Sequence, residues 1–189
     1  MSSHHIVREK QEPALLVLGL DNFDDEQLGQ LLEWSPTLIV TPDIAEKLNA
    51  YGIKIDWILT DDAIDNLQSD IKWLPVGKDT VIVAALNYLT GHGYPSVNVV
   101  TDEFEADDYL PYAGKINLVI FYDQQKIYAV SPGFGKWKPA GELITILSDT
   151  NSLKTDGLAE TGEGQYKTIA DGFFTPEFDE PLLFIAEGL

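Results

Sequence analysis

LIVTPDIAEKLNAYGIKIDWILTDDAID, residues 38–65, changes its hydrophobic period twice within one short span. Residues 38–40 form an apolar run too short for a helix and suited to a buried strand. Thr41 then stands at an N-cap position, Pro42 at the first helical position, and Ile44, Leu48 and Tyr51 recur at helical spacing, so a helix with one buried face is expected up to Gly52. Trp57, Ile58 and Leu59 begin a second apolar run that ends in the polar stretch of Asp61, Asp62 and Asp65. Strand, helix, strand, acidic loop is the signature of a parallel βαβ unit.

The same alternation extends outward. Residues 14–18 form an apolar run stopped by Gly19. Asp24 caps a helix carrying Leu28, Leu31 and Leu32, with Asp25 and Glu26 favourably placed in its first turn. Residues 71–76 form a further strand whose Pro75 points to a sheet edge or a strand end. Lys78, Asp79 and Thr80 precede a helix with Ile82, Ala85, Leu86 and Leu89 on its buried stripe, and residues 97–100 are the next strand. The expected fold class is α/β, with a mainly parallel doubly wound first domain over residues 1–115 whose ligands would lie beyond the carboxyl ends of the strands. The loops beginning at Thr41, Thr60 and Thr101 are the places to search.

From Ile116 the pattern turns to short strands. Residues 118–122 and 126–130 flank a tight connection and read as a hairpin, residues 143–147 and 182–185 are further strands, and Gly157, Gly162, Gly164, Gly172 and Pro176 punctuate the rest. A small all-β sandwich over residues 116–189 is the expected second domain.

Composition narrows the function. Among 189 residues, 31 Asp and Glu face 12 Lys and Arg, a net charge of -19. That field repels nucleic acid and anionic membrane, and it obliges any polyphosphate site to show compensating cations or a metal. The chain has no cysteine, which removes disulfides and thiolate chemistry and makes cytoplasm the expected compartment. The first eleven residues mix His4, His5, Arg8, Glu9 and Lys10 with no long apolar run, and read as a frayed lead-in.

Residues 38–65 resemble the core of the thiamine pyrophosphokinase family. That family carries a strand ending in Asp-Gly-Gly-Ala-Asn, a helix ending in Gly-Ile-Lys-Pro-Asp and a strand ending in Gly-Asp-Phe-Asp-Ser. Ala45 matches the first element, Gly52, Ile53, Lys54 and Asp56 the second, and Asp61 the first aspartate of the third. Lys78, Asp79 and Thr80 are similar to the family's Lys-Asp and Thr-Asp element, and the hairpin, the turn at Pro132 and Gly133, Gly157-Leu158 and the last strand continue the likeness. The resemblance implies a nucleotide-handling domain using ATP and Mg, followed by a sandwich that holds thiamine, across a homodimer interface.

The sequence departs from the family where the chemistry would be. Pro42, Asp43 and Ile44 replace Asp-Gly-Gly, Ala63 and Ile64 replace the second Asp and Ser, and Val81 replaces the Asp after Thr. The family's Gly-Gly-Arg and Asp-His element has no counterpart, and its Ser-Asn falls around Ala170 and Asp171. Diphosphate transfer needs a divalent ion held by carboxylates, and a phosphate cradle needs backbone amides unobstructed by side chains. Asp61 is the expected metal ligand by register, with a turn cap as its bland alternative. Asp43, Asp61, Asp62, Lys78, Asp79 and Thr80 are the nucleotide or phosphate candidates, with Thr80 also an N-cap, and Asp171 is the thiamine-side candidate.

Three readings follow: a thiamine pyrophosphokinase-like protein whose catalysis is lost or impaired and which binds or regulates, an active enzyme with Asp62, Asp65 and Asp79 as relocated metal ligands, or a structural homodimer. The ligand would be thiamine-like or a nucleotide. Asp107 and Asp108 read as a solvated loop face, His92 as a turn residue, and Trp137 and Tyr166 as core or stacking groups.

Overall fold

The computed structural model describes residues 12–62, 68–148, 150 and 152–189. The lead-in and the segment containing Ala63, Ile64 and Asp65 lie outside the described residues.

Five strands of the first half and the first of the second run parallel in one sheet: β1 (Ala14–Val17), β2 (Leu38–Val40), β3 (Trp57–Leu59), β4 (Lys72–Leu74), β5 (Ser96–Val100) and β6 (Asn117–Tyr122). Their spatial order is β6-β5-β1-β2-β3-β4, which leaves β4 at the edge, where Pro75 just after it removes a donor at no cost to a neighbour. Alternate residues of β1 face opposite layers. Leu15 and Val17 pack with α1 (Asp25–Leu32) and α2 (Pro42–Ala50), whereas Ala14 and Leu16 share a core with α3 (Val81–Gly91) and α4 (Ala106–Ala113). Both faces are therefore covered, which is why the strands read as unbroken apolar runs.

Local signals act as expected at most ends. The Asp24 side chain accepts from the Glu26 amide at 3.0 Å, Thr80 caps α3, and Gly52 takes φ +71° beyond α2. Tyr51 is a correction. The helix ends at Ala50, so the Tyr51 side chain leaves the buried stripe and is 71% exposed. Helix α4 is another, because Asp107 and Asp108 lie in its first turn and not in a loop. Pro111 inside it, which removes a helical hydrogen bond, hides its signal, yet Tyr109 and Tyr112 three residues apart are both buried.

The last third differs from a separate sandwich. β6 pairs parallel with β5 on one side and antiparallel with β7 (Gln125–Val130) on the other. From there the same sheet continues through β14 (Leu183–Gly188), β9 (Leu143–Ile146), β12 (Gln165–Thr168) and β11 (Leu158–Gly162), giving eleven strands among the described residues. A second sheet of three strands, β10 (Lys154–Asp156), β13 (Gly172–Glu177) and β8 (Lys136–Lys138), completes a sandwich over one face of this extension, enclosing Val130, Ile144, Ile146, Phe174, Phe178, Leu183 and Ile185. The other face is not solvent: Ile127, Phe184 and Ala186 join the core beneath α3 and α4. Residues on either side of position 115 thus share both a sheet and a core.

The β6–β7 hairpin turns on Asp123 and Gln124, with φ 47° and 59°, the left-handed pair that a two-residue turn of this twist requires. Neither is glycine. Gln124 is held from both ends, its Nε2 donating to the Asn22 carbonyl at 2.8 Å and its carbonyl accepting from the Leu189 amide at 3.1 Å.

Candidate functional site

The parallel strands release their loops on one side of the sheet, and there the sequence candidates can be placed. β3 and β5 end alike: the Thr60 hydroxyl accepts from the Asp62 amide at 3.0 Å, and the Thr101 hydroxyl from the Glu103 amide at 3.2 Å. Each threonine folds the chain back over its own strand end. Between these turns lie the loops after β1 and β2.

Asp61 is exposed, and both of its oxygens are occupied. Oδ1 accepts from the Val76 and Gly77 amides and Oδ2 from Gly77, all at 3.0 Å, so the carboxylate ties the loop after β3 to the loop after β4. This is the geometry of a carboxylate serving backbone donors that have no strand partner. Gly77 takes φ +64° to turn its amide toward Asp61. Asp62 is exposed on the turn it makes with Thr60.

Lys78, Asp79 and Thr80 are also exposed, in the loop leading into α3. The Thr80 hydroxyl accepts from the Val83 amide at 3.4 Å, which gives it the capping role. Burial, and behind it the Asp79 charge, pushes the Tyr112 phenol above its ordinary pKa. Asp43 occupies the first turn of α2 after Pro42, exposed. It is a good dipole partner there, but Pro42 has no amide to offer and the Asp43 carboxylate brings negative charge to the helix end where an anion would sit.

A residue overlooked in the sequence organises the other side of this surface. Asp102, two residues beyond β5, accepts from the Asp21 and Asn22 amides at 3.1 Å each, and Asp21 in turn pairs with Lys47 of α2 at 3.3 Å. Gly19 permits the approach: a Cβ there would overlap the Asp102 carboxylate and come within 2.8 Å of its backbone nitrogen. The signal was Gly19 itself, which closes an apolar strand without needing a positive φ.

Among the described residues no three of His, Cys, Asp and Glu stand together as metal ligands. Asp61 is one carboxylate already accepting backbone amides, and the first turn of α2 carries Pro42 and Asp43. Asp171, the thiamine-side candidate, accepts from the Ala140 amide at 2.8 Å and lies exposed in the β half, a turn-tying role like that of Asp61. The remaining sequence candidates also settle. His92 caps α3, its Nδ1 2.8 Å from the Tyr88 carbonyl and its ring 4.1 Å from the Tyr88 ring. Tyr166 is half-buried against the sandwich core, while Trp137 is 53% exposed.

The arrangement as a whole is matched by solved structures. A probable thiamine pyrophosphokinase from Staphylococcus saprophyticus superposes with a TM-score of 0.67 over 93% of this chain and 98% of that one, at 16% identity. The chain has the fold of the thiamine pyrophosphokinases. Thiamin pyrophosphokinase from Geobacillus thermodenitrificans gives 0.66 at 14% identity, covering 93% of this chain and 97% of that one, and the Candida albicans enzyme gives 0.62 at 12%, covering 94% and 90%. No family model and no curated protein matches the sequence. Among the described residues no helix is long and apolar enough to cross a membrane.

Proposed function

We propose that this chain is a thiamine pyrophosphokinase-like protein in which ATP- and Mg-dependent diphosphate transfer is lost or strongly weakened, leaving a binding or regulatory role toward a thiamine-like or nucleotide ligand. The observation that carries this reading is Asp61: the one aspartate retained from the family's acidic motif has its oxygens turned onto the Val76 and Gly77 amides. Phosphoryl-type transfer relies on positioned metal and donors with little other help, so losing the ligand set removes most of the catalysis.

Homodimerisation belongs to the same proposal. Trp137 of β8 and Phe173 of β13 are direct cross-strand neighbours on the outer face of the smaller sheet, 53% and 70% exposed. An exposed aromatic pair of this kind favours a protein contact or a flat ligand.

A steady-state assay with ATP, Mg and thiamine tests the catalytic half. The expected outcome is no thiamine diphosphate above background. Product that appears with the intact chain and disappears in Asp61→Ala would overturn it. Thermal shift with thiamine, its phosphates and nucleotides then finds the ligand, since binding to the native state alone raises the melting temperature. Light scattering tests the dimer, and a monomer at micromolar concentration would remove it.

A further inference from the structure

Strand β8 places two lysines on the same buried carboxylate. Trp137 points outward, so Lys136 and Lys138 on either side of it point into the sandwich. There Glu187 of β14, 5% exposed, receives Lys136 on Oε1 and Lys138 on Oε2, the latter at 2.6 Å. Lys136 also donates to the Tyr128 hydroxyl at 3.1 Å and lies 5.0 Å from that ring's centroid. A third lysine faces the same place. Lys126 stands directly opposite Glu187 in the β7–β14 ladder, so its side chain leaves the same face of the sheet, and it makes no ion pair among the described residues.

One lysine neutralises one carboxylate. Taken together, Lys136 and Lys138 on Glu187 and Lys126 beside it carry a formal charge of about +2, in a chain whose net charge is -19. The surplus is reachable, because the Lys136 and Lys138 side chains remain 33% and 18% exposed. Glu187 and the Tyr128 hydroxyl hold Lys136 in place, which removes the entropy that usually weakens a lysine site.

We propose that Lys126, Lys136 and Lys138, oriented by Glu187 and Tyr128, form a binding site for a phosphate group at the lip of the sandwich. A phosphate monoester carries about −1.5 to −2 charge at neutral pH and three strong acceptor oxygens, which matches the local surplus better than a single carboxylate does. Lysine supplies such a group with point charges and rotatable donors. The lysine cluster uses none of the strand-end candidates Asp61, Lys78 and Thr80, and its test does not depend on diphosphate transfer.

An NMR titration of the intact chain with inorganic phosphate, against sodium chloride at matched ionic strength, reads the site through the backbone amides of Lys126, Lys136 and Lys138. Saturable shifts with phosphate and none with chloride are expected. Lys126→Gln leaves both Glu187 ion pairs intact and therefore the fold, and it should weaken phosphate at least about threefold, with Lys126→Glu weakening it about tenfold or more. Phenyl phosphate distinguishes the source: tighter binding than inorganic phosphate indicates an organic monoester, and equal binding indicates free phosphate. Identical responses to phosphate and chloride, or unchanged affinity in Lys126→Glu, would overturn the proposal.

Discussion

Two carboxylates in this molecule have exchanged the roles their positions suggest. Asp61, at the strand ends where ligands of this architecture sit, faces solvent yet serves backbone amides; Glu187, in the interior of a sandwich, collects lysines. The neighbours of the first are neutral backbone donors. The second carries its charge against desolvation, which alone would raise its pKa, and the hydrogen bonds and charges of Lys136 and Lys138 outweigh that effect and hold it below its ordinary value. The difference teaches that a carboxylate at a strand end can be taken up by backbone amides while one inside a sandwich gathers charged partners.

The largest test of that contrast is removal of the buried partner. Glu187→Ala leaves two lysines converging on nothing and should cost about 3 kcal/mol, less than a fully buried pair because both lysines keep some solvent. Urea denaturation measures it, and a loss no greater than that of Asp61→Ala would break the comparison. At the strand ends the tightest contact is steric. Gly19→Ala forces a methyl group into Asp102 and should cost about 1–3 kcal/mol by the same measurement.

Acid titration sharpens the contrast further. A carboxylate whose folded pKa lies below its unfolded value contributes stability that is complete above the unfolded value and lost as pH falls through the folded one. Wild-type stability should therefore decline at acid pH more steeply than that of Glu187→Gln, with the two curves converging below the folded pKa of Glu187. Parallel curves would show that the lysines do not lower it. The smallest effect belongs to Asp61→Ala, about 1 kcal/mol, because the freed amides of Val76 and Gly77 lie near water and regain part of their hydrogen bonding.

Legibility from sequence followed locality. β1 to β3 and α1 to α3 were readable because caps, periods and breakers all lie within a few residues of the elements they define. α4 was not, since Pro111 argues against a helix and only burial of Tyr109 and Tyr112 reveals the face it presents. The continuation of one sheet across residue 115 was invisible for a different reason: β6 reads as the same short strand whether its neighbour runs parallel or antiparallel. The site divides the same way. Asp61 was found by register, but its partners lie 15 and 16 residues on, and the Lys136–Glu187 contact spans 51 residues with no period to announce it.

The shared sheet has a consequence for how the molecule can be divided. Val97, Val99 and Val100 of β5 are fully buried, and β6 covers the flank of that strand residue by residue. A protease nick at the junction before β6 would not release two soluble halves. Should the fragments part, the first would present a bare valine-rich ribbon with open amides, a template on which a second fragment can add. Limited digestion is thus expected to yield a nicked but associated molecule, or else a precipitate.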